Sequence, residues 1–207
     1  MPLSERLILA SASPRRRELL ARLTPRFDVQ PCSRVEPQHK PAMLSPPAWA
    51  EALAYFKARA VAEDHPGCWV LGADTVVVCQ GRLLGKPADA DHARRMLQLQ
   101  AGRESAVITG VSLVRVAKRV ERIIRHDRTR VWMRDDAVAI TAYVAGTEWR
   151  GKAGAYGIQD VGDRLIQRIA GSFSNVVGLP LECLGRLLAA VGLVSPACPT
   201  GEPPPAG

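Results

Sequence analysis

The chain has 207 residues, 47% of them hydrophobic and 23% charged, enough for one sizeable core in a single domain or two close lobes. Its net charge of +8 favours anionic partners without choosing among nucleotides, nucleic acid and acidic lipid. No apolar stretch approaches the ~20 residues of a membrane span or opens the chain as a secretory segment, and five scattered cysteines (Cys32, Cys68, Cys79, Cys183, Cys198) without a C-x-x-C pair argue against a disulfide framework or zinc site, so a cytoplasmic protein with reduced, structural thiols is expected.

Leu7, Ile8, Leu9 and Ala10 predict a short buried strand. Ser13 is an N-cap type, and Pro14 suits the first turn of a helix whose apolar stripe is Leu19, Leu20 and Leu23. Arg15, Arg16 and Arg17 stand on the N-terminus of that helix, where the macrodipole is already positive and each cation is disfavoured by roughly 0.3–1 kcal/mol. A bound anion, a phosphate above all, would reverse that sign; a solvated arginine cluster is the alternative. Residues 31–48 hold five prolines and predict a loop that contains Glu36. A helix follows over 46–64, with Trp49, Leu53, Phe56 and Ala60 on one face and Lys57 beside that stripe. Trp49 is expected in the core rather than on a ligand.

The run from Cys68 to Cys79 is nearly all apolar and rich in valine, which predicts a strand buried on both faces. Gln80 and Gly81 turn the chain, and Arg82–Leu84 returns as a short strand ending at Gly85, Lys86 and Pro87. Asp89 or Asp91 caps a helix through Met96 and Leu97 that stops at Gly102. Two long strands are expected at Ala106–Val116 and Val120–Met133, the second punctuated by arginines that predict one solvated face. Asp135 or Asp136 starts a helix reaching Val144 and closing at Gly146. "GKAGAYGIQD" is a glycine-rich bend in which Tyr156 is a candidate to stack on a base, Leu165–Ile169 reads as a strand, and a last helix runs from Pro180 towards Gly192. Residues 195–207 are expected to be a disordered tail. Strands alternating with helices predict an α/β fold with a mixed sheet.

Asp74 interrupts its apolar strand. By period-two alternation it shares a face with Val70, Val76 and Val78, and a buried carboxylate needs an ion pair, hydrogen bonds or a metal. Satisfaction by backbone donors or an arginine is one reading. Its company favours phosphoryl chemistry: Arg15, Arg16, Lys57 and Lys86 supply cations, Glu36 a second carboxylate, and Thr75 and Gln159 neutral hydrogen-bonding groups. Arginine outnumbers lysine 23 to 5, so Lys57, Lys86 and Lys152, each beside a motif, stand out as point charges for phosphate oxygens. No Walker loop, G-x-G-x-x-G or G-x-S-x-G is present, and His39, His65, His92 and His126 sit in polar contexts and are expected to be solvated.

"LASASPRRRELL", "LGADTVVV", "GKP", "KAGAYGIQ" and "GSFSNVVGLPLE" together, in this order and spacing, resemble the Maf family of nucleoside triphosphate pyrophosphatases over residues 3–194, as one domain. The resemblance implies an elongated mixed sheet flanked by helices, two lobes around a central cleft, similar to inosine triphosphate pyrophosphatases. It implies cleavage of a nucleotide between the α and β phosphates with a divalent metal cation (Mg²⁺, or Mn²⁺/Co²⁺), a homodimer, and a role in clearing unwanted nucleotides, with no nucleic-acid or membrane partner. By the same resemblance Asp74 is the proton acceptor and a metal ligand; Ser11, Arg15, Arg16, Lys57 and Lys86 meet the triphosphate; and Glu36 is a metal ligand, here preceded by Val35 where the family often has an aspartate. Arg15, Thr75 and Gln159 match the branch of the family acting on dTTP and UTP, and a glutamine amide that donates and accepts suits the imide edge of thymine or uracil. The alternatives are a 7-methyl-GTP pyrophosphatase of the same family and a non-enzymatic septum-formation regulator. Against nucleic-acid binding, no helix concentrates the basic residues and aromatics are 5% of the chain.

Overall fold

The computed structural model describes residues 6–158 and 164–195. β1 (Leu7–Leu9) is fully buried and leads into α1 (Pro14–Ala21), where the Ser13 hydroxyl accepts the Arg16 backbone N–H at 3.4 Å and Pro14 opens the first turn. Leu19 and Leu20 are buried, whereas Leu23 lies beyond the helix end and is half-buried. β2 (Asp28–Val29) is a two-residue exposed strand parallel to β1, too short to leave a periodic signal. α2 (Pro46–Asp64) starts behind a Ser45 N-cap, so the proline-rich loop ends at 45. Trp49, Leu53 and Ala60 are buried on it, and Phe56 is half-buried.

β3 (Trp69–Cys79) is buried on both faces and turns through Gln80 and Gly81 into antiparallel β4 (Arg82–Leu84). α3 (Ala90–Gln100) is capped by Asp89, not Asp91, which lies in its first turn. β5 (Glu104–Val116) begins two residues before the apolar run, because backbone pairing extends past the apolar side chains to the buried Ser105 and the exposed Glu104. β6 (Val120–Met133) has the expected bounds, with Arg122, Arg125, Arg128 and Arg130 all exposed. α4 (Ala137–Ala145) is capped by Asp136 and ends at Gly146. The glycine-rich bend holds one 3-10 turn, Ala153–Ala155. β7 (Ile166–Ala170) lies antiparallel to β6, α5 (Phe173–Val177) is a single unanticipated turn-and-a-half, and α6 (Leu181–Ala190) follows Pro180. The sheet is mixed and seven-stranded, in the order β2-β1-β3-β5-β6-β7 with β4 on β3. Gln159, the candidate for the base, and residues 196–207 of the expected tail lie outside the described residues.

The chain divides into two compact units. The first is drawn from Met1–Asp74, Thr109–Asp127 and Gly178–Gly207, the second from Thr75–Ile108 and Arg128–Val177. In the first, Ile8, Ala10, Ala58, Val61, Ala62, Cys68, Val70 and Val114 form one buried cluster. α2 lies unusually close on the strands beneath it. A Cβ built on Gly72 would stand 2.1 Å from the Ala54 carbonyl oxygen, and one on Gly110 would stand 2.4 Å from the Ala50 carbonyl. Ala50, Ala54 and Ala58, spaced four apart on one face of α2, seat the helix on these glycines.

In the second unit, the fully buried Gln100 donates from Nε2 to the carbonyls of Met96 and Gly154, at 3.0 and 2.8 Å. The Gly154 N–H in turn bonds the Gly85 carbonyl at 3.0 Å. Gly154 has φ +70 and packs against Val77, a place where a Cβ would be both strained and crowded. Asn175, also fully buried, donates to the Val107 carbonyl and the Thr129 hydroxyl. Tyr156 is 5% exposed, which leaves its ring in the packing of this unit rather than open to a stacking partner.

Candidate active site

Lys57 meets Asp74 because α2 is seated on Gly72. Gly72 and Asp74 lie on the same face of β3, the face α2 covers, so the helix residue preceding Ala58 comes down over the carboxylate. That residue is Lys57. Its Nζ donates to Asp74 Oδ1 at 2.6 Å and lies 3.0 Å from Glu36 Oε2. Lys57 is 6% and Asp74 9% exposed, while Glu36, from the proline-rich loop, is half-buried. Burial of either charge alone would be costly; the short ion pair answers the question Asp74 raised in its strand.

Arg16 approaches the same region from α1. Its Nε donates to the Gly178 carbonyl and its Nη1 to the Ala73 carbonyl, each at 2.9 Å, and Nη1 also reaches the Ser11 hydroxyl at 3.5 Å. Ser11 is buried, and its hydroxyl also accepts the Ser13 N–H. Desolvation lowers the Arg16 guanidinium from its usual value; Asp74 pulls it back up, Arg15 lowers it further, and Glu36 raises it. Arg15 is half-buried and Arg17 exposed, while Arg16 is tied into the fold through two backbone carbonyls.

Ser11, Arg16, Glu36, Lys57 and Asp74 are therefore gathered in one unit, with Arg15 beside them. Thr75, half-buried on β3, and Lys86, exposed after β4, belong to the second unit. The carbonyls of Ala73 and Gly178 were not anticipated: backbone acceptors carry no residue-type signal. Gly72 and Gly110 were not singled out either, although the Ala50, Ala54, Ala58 spacing was a readable sign of close helix approach.

Among the described residues no group of three or more His, Cys, Asp and Glu side chains is arranged to hold a metal. Asp74 and Glu36 nevertheless converge on one point, the Lys57 ammonium. Two carboxylates suit Mg²⁺ or a similar hard ion, which takes one or two protein carboxylates and completes its shell with water and phosphate oxygens. His126 pairs with Glu51 at 2.8 Å and is exposed, as is His39, while His65 and His92 are half-buried rather than fully solvated.

The Maf-like protein family model matches residues 6–191. A dTTP/UTP pyrophosphatase from Moorella thermoacetica is 50% identical over 91% of this chain and 96% of its own length. Another of that name, from Myxococcus xanthus, is 46% identical over 92% of this chain and 94% of its length. Among solved structures, a HAM1 protein from Coxiella burnetii aligns with a TM-score of 0.53 at 16% identity, covering 89% of this chain and 98% of that one, a likeness of fold.

Proposed function

The chain belongs to the family of Maf-like proteins, and from that premise we propose that it is a dTTP/UTP pyrophosphatase, cleaving dTTP and UTP between the α and β phosphates to the nucleoside monophosphate and pyrophosphate. The observation that carries this reading is the buried Asp74 carboxylate paired with Lys57, with Glu36 on the same ammonium, in a chain 50% identical to a relative of that name.

Asp74 accepts the proton of the water that attacks the α phosphorus; the bond from that phosphorus to the α,β-bridging oxygen breaks, and pyrophosphate leaves with the electron pair. Lys57 supplies the positive charge that a carboxylate buried in an apolar strand requires. Arg15, Arg16 and Ser11 meet the triphosphate, and Arg16 is pre-positioned for it because two backbone carbonyls already fix its guanidinium. Thr75, Lys86 and Gln159 keep the substrate roles that the family pattern gives them, Lys86 on the phosphates and the Gln159 amide on the pyrimidine edge. A divalent cation, Mg²⁺ or Mn²⁺/Co²⁺, held by Asp74 and Glu36, would neutralise phosphate charge and polarise the α phosphate. A cytoplasmic homodimer that clears unwanted nucleotides completes the reading, supported by the family resemblance.

The test is turnover of dTTP, UTP, CTP and 7-methyl-GTP by purified protein with Mg²⁺ or Mn²⁺, following pyrophosphate. dTTP and UTP are expected to be cleaved preferentially, with no turnover in EDTA. Preference for 7-methyl-GTP would move the protein to the other branch of the family, and no pyrophosphate from any nucleotide would favour a binding protein.

A further inference from the structure

In the free protein the two carboxylates offered to a cation are already engaged by an ammonium. Lys57 Nζ lies within hydrogen-bond distance of Asp74 and Glu36 at once, at 2.6 and 3.0 Å. Arg16 adds a second positive charge beside two negative ones, with Arg15 next to it, so the pocket presents no net negative charge to an approaching divalent ion. The donor set is also short, with no third His, Cys, Asp or Glu side chain beside these two among the described residues. A bare cation would have to displace an ammonium from both of its ligands and then find the rest of its shell in water.

We infer that the cation is not resident but enters with the nucleotide: Lys57 occupies its place in the free protein and yields it when triphosphate oxygens arrive. This rests on the pyrophosphatase reading for the identity of the ligand. The triphosphate makes the exchange favourable twice over, since it brings several negative charges and donor oxygens for the ion and gives the Lys57 ammonium new acceptors. Glu36 is the partner released first. Its contact is the longer one, and its side chain is 37% exposed against 13% for Asp74. Lys57 thus acts as a positioning residue, an internal counter-ion that keeps the two carboxylates together until substrate arrives.

Mn²⁺ binding, read by water-proton relaxation enhancement, tests this without turnover, using wild type alone, wild type with the α,β-imido analogue of dUTP, and Lys57→Met, which keeps the stem and removes the charge. Wild type alone is expected to show no saturable Mn²⁺ site below about 1 mM, whereas the analogue brings the ion onto the protein as a ternary complex. Lys57→Met without nucleotide is expected to bind Mn²⁺ at least about tenfold more tightly than wild type. Micromolar binding by wild type alone overturns the inference, as does a folded Lys57→Met no tighter than wild type. If that variant does not fold, the wild-type arms decide: equal Mn²⁺ affinity with and without analogue overturns the inference. If dTTP and UTP are not cleaved while free wild type still excludes Mn²⁺ and folded Lys57→Met takes it up, the substrate reading falls and the counter-ion role stands.

Discussion

An ammonium shared by two carboxylates makes the three side chains interdependent, and the consequences of changing each are not equivalent. On the proposed mechanism Asp74→Asn keeps size and hydrogen-bonding capacity but removes the proton acceptor, so kcat is expected to fall by about 10²- to 10⁴-fold. Lys57 retains Glu36 as a partner in that variant, so the protein is expected to remain folded, as checked by a thermal melt beside the turnover assay. Turnover within a few-fold of wild type would remove Asp74 from the chemistry. The acid itself was legible in the sequence, since a lone aspartate among valines demands a counter-charge. The residues suggested backbone donors or an arginine as its partner, and the structure supplies Lys57 instead. Arg16 spends two donors on the carbonyls of Ala73 and Gly178.

At the scale of elements, the site depends on how low α2 rides over β3. Gly72→Ala places a methyl group 2.1 Å from the Ala54 carbonyl oxygen, backbone that cannot swing aside. The helix must lift, at a cost of at least about 1–3 kcal/mol, and Lys57 lifts with it, so stability and turnover are expected to fall together. Gly185→Ala is the contrast. Gly185 lies inside α6 with its nearest outside neighbour, a Leu23 methyl, 3.8 Å from the added carbon, and the change is expected to stabilise by about 0.5–1 kcal/mol. Denaturant melts of both variants check the pair; an unchanged midpoint for Gly72→Ala would contradict the seating of α2. Long periodic elements were readable: β6 has its expected bounds, α1 begins behind the expected Ser13 cap, and α4 begins behind Asp136, one of the two aspartates the sequence offered. β2 and α5 were not, because two and five residues are too few for a period to show. The close approach of α2 is a property of paired backbones, visible in sequence only as an alanine spacing facing two glycines.

For the whole molecule, the net charge of +8 acts on a polyanionic substrate at a distance. kcat/KM for dTTP is expected to fall as NaCl is raised from about 50 to 500 mM, while kcat stays nearly constant, since screening weakens encounter more than contacts already made. A salt-independent kcat/KM would mean that the surplus charge lies where substrate does not pass. No helix among the described residues is long and apolar enough to cross a membrane. The polypeptide passes between its two units at four places, and two of these adjoin residues held by Arg16: the carbonyl of Ala73, one residue before the 74/75 passage, and that of Gly178, at the 177/178 passage. One guanidinium thus stitches the first unit shut at two of its seams, and Asp74 is the last residue before one of them. A lesion at position 16 would therefore fray the hem on which the chemistry is sewn, so its harm would not be confined to lost phosphate contact.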